Sequence, residues 1–172
     1  MTDFKGVRKF NREMRKFAKK QIPEVVARAT AQIVLNVLKI AVEKTPVDTG
    51  RARGGWQVSI GSLPTPNKRK DKNGGPTIAS GSSKAALAPP YQIIFISNAV
   101  EYIEVLENGL FRPADPGPSD VRFPSGKKIP GKTGTVLVKG GFHVQAPEGM
   151  LAIATQAAIH RANFELRNIK VR

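Results

Sequence analysis

The sequence predicts an α+β protein in which a small antiparallel sheet packs with a long N-terminal helix, a short central helix and a C-terminal helix. Segments at both ends of the chain carry apolar residues at three- and four-residue steps, which is the spacing of one helix face. Trp56, Val58 and Ile60 alternate with polar neighbours, as in a half-buried strand. The predicted order is helix, strand, strand, short helix, strands and helix, and that order is typical of α+β proteins.

Residues 3–20 predict a basic amphipathic helix. Eight Lys/Arg less two acids give the first 20 residues a net charge of +6. The apolar face consists of Val7, Phe10, Met14 and Phe17, and the cationic stripe consists of Arg8, Arg12, Arg15 and Lys19. We favour a solvated basic face on a docked helix, because charge runs are usually solvated. A helix that binds nucleic acid or a membrane surface is the alternative.

A second helix is predicted to begin at Pro23, because the missing N–H of a proline costs nothing in the first helical turn. Its core-facing residues are predicted to be Val26, Ala29, Ile33, Val37 and Ile40, widened by Val34, Leu38 and Ala41. It should end near Lys44, because Thr45 precedes Pro46 and is pushed out of the helical region.

Two long segments rich in proline and glycine are predicted to be loops, at residues 61–90 and 110–134. The first carries a cation cluster of Lys68, Arg69, Lys70 and Lys72. A loop of that length in a compact domain is usually functional or disordered. We therefore expect it to be mobile in the free subunit and to order on assembly.

The remaining segments predict short elements. Residues 91–97 predict a strand, because Ile93, Ile94, Phe95 and Ile96 are β-branched or aromatic, and a helix capped by Asn98 should follow to residue 108. Residues 135–144 predict strand with a tight hairpin, and 147–168 predict the last helix, with Met150, Leu151, Ala154, Ala158 and Phe164 as packing residues. The short helix carries an acidic stripe of Glu101, Glu104 and Glu107.

Composition narrows the class of protein. A chain of 172 residues suits a single domain, 1–172, with a modest aliphatic core. Its 28 Lys+Arg against 13 Asp+Glu give a formal net charge of +15, which indicates that the protein tolerates or seeks a polyanion, whether nucleic acid, an acidic membrane face or an acidic partner protein. Cysteine is absent, so disulfides, cysteine zinc sites and a cysteine nucleophile are excluded. We expect a soluble, non-secreted protein without a membrane span or signal peptide.

The triplet at residues 48–50 matches the Asp-Thr-Gly that carries the catalytic carboxylate of aspartic proteases. Such an enzyme needs two carboxylates that share a proton. Here the lead-in is a helix end and a proline, and Arg51 and Arg53 follow at once. Nearby cations would hold Asp48 ionised. We interpret the triplet as a turn, in which Asp48 and Thr49 bond local backbone and Gly50 supplies a permissive φ.

No other motif predicts an active site. Residues 126–133 match the phosphate-binding loop letter for letter, but strand follows where that loop requires a helix. His143 and His160 have no second ligand at metal spacing and no convincing nucleophile. We therefore predict no enzyme activity, no nucleotide binding, no metal and no cofactor.

Three pieces of the chain carry a family resemblance. The first is a turn and strand start made by Thr45, Pro46, Val47, Asp48, Thr49, Gly50, Arg51, Arg53 and Trp56. The second is the Tyr-Ile-Glu and the later glycine of residues 102–109, and the third is the Gly-Met of residues 149–150. Together they resemble the tail-completion or head–tail joining (neck) proteins of long-tailed bacteriophages. The small Ala52 and the long 61–90 insertion depart from the family pattern.

The resemblance implies a non-enzymatic structural protein of the virion, assembled in the host cytoplasm. Such proteins form a ring, commonly sixfold, with other neck and tail proteins, and genomic double-stranded DNA passes through the channel. A basic ring would hold DNA through phosphate contacts without reading bases. A tail terminator that caps the tail tube is one alternative. A basic nucleic-acid-binding module outside any virion is another, although its aromatics lie away from the 68–72 cluster.

In a ring, each subunit must offer its neighbours two different complementary surfaces. The cationic stripe of the first helix and the acidic stripe at Glu101, Glu104 and Glu107 have opposite signs. One hypothesis is that the two stripes meet between subunits. The alternative is that the cationic stripe faces DNA or another neck protein and the glutamates are solvated.

Overall fold

The computed structural model describes residues 4–109, 138–139, 142–143 and 149–167. The helices are α1 (Phe4–Lys16), α2 (Ile22–Lys44), α3 (Arg51–Gly54), α4 (Gly75–Ala86), α5 (Ile103–Asn108) and α6 (Leu151–Arg167). The strands are β1 (Trp56–Ile60), β2 (Ile94–Asn98), β3 (Val138–Lys139) and β4 (Phe142–His143). The predicted α+β class is confirmed, and the loop predicted at 110–134 lies outside the described residues.

The first two predicted helices are one continuous helix, so the prediction of a fresh helix at Pro23 is wrong. A π-helical turn over Phe17–Gln21 joins α1 to α2. At its end the amide of Ile22 donates to the carbonyl of Phe17, five residues back. The wider turn lets the chain pass Pro23, which has no N–H for the regular helical ladder.

Helix α2 forms the centre of the core, packed between α4 and α6. Its buried residues are Val34, Val37, Leu38, Ala41 and Val42, joined by Val58, Val105, Met150, Ala154 and Ala158. The core face is rotated from the predicted one, because Ile33 remains 37% exposed. Phe164, predicted as a packing residue, is 69% exposed.

By length and mean hydropathy, the continuous helix over Gly6–Lys44 could cross a bilayer. One face of its C-terminal half is nevertheless buried against α4 and α6 of the same chain. A core helix of this kind passes the same length and composition test.

The prediction that residues 61–90 form one long loop is also wrong, because α4 occupies part of them. Gly74 precedes the helix with a φ of +83°, and a proline lies in its first turn, the position that proline favours. The helix packs closely on α2, since a Cβ at Gly81 would collide with Leu38 and contact Val58 at 3.0 Å. Gly81 therefore allows α4 to approach α2 closely, because a larger side chain at this position would collide with Leu38.

The sheet of the core is the antiparallel pair β1–β2, in a register that places Trp56 opposite Asn98 and Ile60 opposite Ile94. Strand β2 begins later than predicted, after Tyr91, whose φ of +65° is incompatible with a strand. Helix α5 begins five residues after Asn98. In the hairpin predicted over 135–144, β3 and β4 pair as expected.

Candidate functional site

The family-like turn forms a junction, which we define as residues 45–56 together with 69–77. Thr45 ends α2 and is fully buried. Its hydroxyl donates to the carbonyl of Ala41 at 2.6 Å and accepts from the indole N–H of Trp56 at 2.8 Å. One hydroxyl therefore satisfies a helix carbonyl and the polar atom of the buried Trp56, and fixes the start of β1 against the end of α2.

Gly50 turns the chain at the point where three backbone segments meet. It is buried, with a φ of +79°. Its carbonyl accepts from the amides of Gly54 and Asp71, both at 2.9 Å. A Cβ at Gly50 would lie 2.7 Å from the carbonyl carbon of Asp71, so both the conformation and the space require glycine.

The two arginines that follow the turn bind backbone carbonyls of their own chain. Arg53 donates to the carbonyls of Lys72 at 2.7 Å, Thr45 at 3.0 Å and Glu43 at 3.3 Å. Arg51 lies 3.4 Å from the carbonyl of Arg69. A guanidinium has five N–H donors and suits this task. Arg51 and Arg53 therefore hold the junction together. The sequence spacing of the two arginines did not predict this structural role.

A buried carboxylate that sequence reasoning missed fixes the other side of the junction. Asp71 is 5% exposed and accepts from the amides of Asn73, Gly74 and Thr77 and from the hydroxyl of Thr77, at 2.7–3.1 Å. Burial raises the pKa of Asp71, but the hydrogen bonds led by the Thr77 hydroxyl outweigh it and hold the pKa below its usual value. The sequence signal that could have identified this turn is the Asp-x-Asn-Gly pattern of residues 71–74.

The Asp-Thr-Gly triplet forms a turn, as predicted, with its first two residues at the surface and Gly50 buried. Asp48 and Thr49 are exposed, and the Thr49 hydroxyl lies 3.4 Å from the amide of Arg51. Tyr102 of the second family piece lies at the same turn, half-buried. Burial raises the pKa of its phenol, with smaller opposed effects of Arg51 and Asp48. The turn and the short helix are therefore neighbours. Absence of protease activity stays a prediction.

The predicted cations lie in two places. Residues 4–21, the arm, project from the core, and no residue from 6 to 22 is buried. The docked helix predicted there is wrong for a single subunit. Its stripe of Arg8, Arg12, Arg15 and Lys19 is exposed. The second set, Lys68, Arg69, Lys70 and Lys72, is also exposed, on a backbone that Arg51 and Arg53 tie to the junction.

The predicted acidic stripe is divided by the fold. Glu101 and Glu104 are exposed. Glu107 is partly buried, and its carboxylate accepts from the amides of Met150, Leu151 and Ala152 at 2.8–3.0 Å. It thereby caps the N-terminus of α6, where a carboxylate is favoured by unpaired amides and the helix dipole. Glu107 is thus an intrachain cap, and the interface role of the other two glutamates stays a prediction.

An open groove of about 250 Å³ lies between the sheet, α5 and the start of α6. Its lining includes Trp56, Ile96, Ile103 and Leu151, with Glu104 and Glu107 on its polar side. We call it the groove.

Across the described part of the chain, no cluster of three or more metal-ligating side chains occurs. His160 is exposed, and the 126–133 motif lies outside the described residues.

These features define a small α+β scaffold organised around one hydrogen-bonded turn and carrying a projecting basic helix. The family described as "Bacteriophage HK97-gp10, putative tail-component" matches residues 8–109, more than half of the chain. The match includes most of the arm (residues 8–21), the junction and α5. The chain therefore belongs to this HK97-gp10-like family of phage tail components, and the virion is where such a component resides. Comparisons with curated proteins and with solved structures gave no match.

Proposed function

We propose that this chain is a non-enzymatic ring subunit of the phage neck, a tail-completion or head–tail joining protein whose channel passes genomic double-stranded DNA. The observation that supports the proposal is the exposed positive charge of a chain that belongs to a family of tail components. The chain has a net charge of +15, and both of its predicted cation sets are exposed. Repeated around a ring, these cations would contact phosphates without base readout.

The described geometry suits a structural part better than an enzyme. The polar groups of the family turn bond to the backbone of their own chain, through Thr45, Gly50 and Arg53. The buried carboxylate, Asp71, has its acceptor capacity taken by four donors. Neither group is placed to bind and transform a substrate. We therefore expect Asp48→Asn to change no peptide-cleaving activity, because wild type should have none.

Assembly is tested with purified tail tubes and the full chain. Native mass measurements and electron microscopy should show a closed ring, sixfold by our proposal, bound at the head-proximal end of the tube. A ring that merely caps a tube and fails to join DNA-filled heads would support a tail terminator instead. A chain that remains monomeric at high concentration and with tail tubes would refute the ring.

Passage of DNA is tested by the salt dependence of binding to random-sequence duplex. The logarithm of the binding constant should fall linearly with the logarithm of salt concentration, by about one unit of slope per phosphate contact. Replacing Arg8, Arg12 and Arg15 with Gln should lower that slope by up to about 3. The matched control is Arg28→Gln, an exposed cation outside the arm. Equal slopes for the triple variant and wild type would remove the arm from the DNA path.

A further inference from the structure

The arm exposes an apolar face that the described part of the chain leaves uncovered. Val7 is 57% exposed, Phe10 63% and Met14 48%. These residues recur at three- and four-residue steps and share one side of α1. At about 100° per residue, the centre of the cationic stripe lies roughly 140° away around the helix. One side can therefore contact protein while the other remains available to a polyanion.

The groove has the volume and the apolar lining required to receive a side chain from the apolar face of the arm. Its volume of about 250 Å³ exceeds the roughly 150 Å³ of an apolar cavity that is known to hold a benzene ring. Ile96, Ile103 and Leu151 line it, so an aromatic side chain would enter apolar surroundings. The exposed Glu104 stands at the groove, and Glu101 is exposed one turn earlier. This acidic rim is opposite in sign to the net charge of the arm and can attract it at long range, without direct pairing to the cationic stripe on the other side of the helix.

The arm cannot reach the groove of its own chain. Trp56 lines the groove and bonds to Thr45, at the C-terminal end of the continuous helix. Phe10 is near the opposite end of the helix over Gly6–Lys44. At about 1.5 Å per residue, the two ends are roughly 50 Å apart. Only the groove of another molecule can receive the arm while the helix stays intact.

We propose that the apolar face of the arm docks into the groove of the next subunit, with Phe10 as the side chain that enters it. The two surfaces differ and lie at opposite ends of one helix, so the contact is head-to-tail and can close a ring. This inference rests on the proposed ring and names its subunit contact. It also replaces the hypothesis that the cationic stripe itself pairs with the glutamates, and leaves that stripe to face DNA.

Disulfide trapping tests the contact, because the chain has no cysteine of its own. Asn108 is exposed and lines the groove. Mixing full-length Phe10→Cys with full-length Asn108→Cys should give a mixed covalent dimer on oxidation. The double variant should give a ladder of multimers that ends at the closed ring. The matched control pairs Phe10→Cys with Leu87→Cys, a site 79% exposed away from the groove lining, and should give no enrichment.

A second measurement keeps the inference independent of cross-linking chemistry. Phe10→Asp should raise the subunit concentration for half-assembly by about tenfold or more, as loss of a buried aromatic anchor does, while Leu87→Asp should leave it unchanged. Two results would overturn the contact and leave the proposed function standing. One is normal ring formation by Phe10→Asp. The other is formation of rings in which Phe10→Cys and Asn108→Cys never cross-link. Phe10→Cys homodimers formed in preference would instead indicate arm-to-arm packing.

A membrane is the other surface that a basic amphipathic helix could bind. Wild type is therefore sedimented with vesicles of anionic phospholipid, with Phe10→Asp as the matched variant. Binding to vesicles that needs Phe10, together with no trapped Phe10–Asn108 contact, overturns the inference in favour of a membrane surface. Absence of any ring, alone or with tail tubes, overturns the proposed function and with it the contact.

Discussion

Cations occur both at the junction and on the arm, but their surroundings differ. At the junction, Arg53 donates to three backbone carbonyls beside the buried Thr45 and Asp71. On the arm, no residue from 6 to 22 is buried, and the ion pair between Arg12 and Glu13 is long, at 3.8 Å, and exposed. At the junction, Arg51 and Arg53 stabilise the subunit through backbone carbonyls, whereas the arm's cations and apolar side chains are available for assembly. The following predictions test that division.

The largest effect on stability is expected at Asp71. Asp71→Ala leaves four donors around a buried site without their acceptor, and should lower the free energy of unfolding by about 3 kcal/mol or more. Urea unfolding followed by tryptophan fluorescence measures this change. Lys70→Ala removes an exposed charge from the same segment and should change stability by less than about 0.5 kcal/mol. Equal effects of the two substitutions would refute a central role for the carboxylate.

A smaller loss is expected for Thr45→Val. The substitution conserves shape but leaves the buried indole N–H of Trp56 without its acceptor, while the carbonyl of Ala41 keeps its bond from the amide of Thr45. The free energy of unfolding should fall by about 1–3 kcal/mol. Thr65→Val, at an exposed position, is the matched control and should be nearly neutral. An unchanged midpoint for Thr45→Val would show that the hydroxyl bridge contributes nothing net.

Acid should weaken the junction through Asp71. Its pKa is lower in the folded protein than the usual 3.8, so the folded state favours the ionised form. The stabilisation is fully present above the unfolded pKa and is lost as pH falls through the folded value. The stability difference between wild type and Asp71→Asn should therefore shrink below about pH 4. Urea midpoints measured from pH 7 downward test this, and a gap that stays constant would contradict it.

The smallest effect on stability is expected for the arm. Deleting residues 1–16 removes no described buried side chain, so the free energy of unfolding should change by less than about 0.5 kcal/mol. Ring formation should nevertheless be lost. A large fall in stability would mean that the arm docks on its own chain, and the division between the two regions would fail.

Local sequence signals predicted β1, the turn and the helical character of the arm, α2 and α6 correctly, but not the continuity of the first two helices, the start of α5 or the presence of α4. Alternation from Trp56 to Ile60, and Pro46 after Thr45, act on neighbouring residues and can be read without tertiary contacts. The same holds for the division of the arm into an apolar and a cationic face, which helical period alone arranges, although the exposure of the apolar face was not predicted. The family assignment also followed from the turn, because its residues are contiguous.

Tertiary structure decided what these residues contact. Helix α4 was predicted as loop because its glycines and serines are weak helix formers, and only the close approach of Gly81 to Leu38 and the Asp71 cap explain it. Glu107 looked like part of an exposed stripe until α6 placed three amides around it. Period places a side chain on a face of a helix, but the contact of Gly81 with Leu38 and the hydrogen bonds of Glu107 join residues more than 40 positions apart, which only the folded chain brings together.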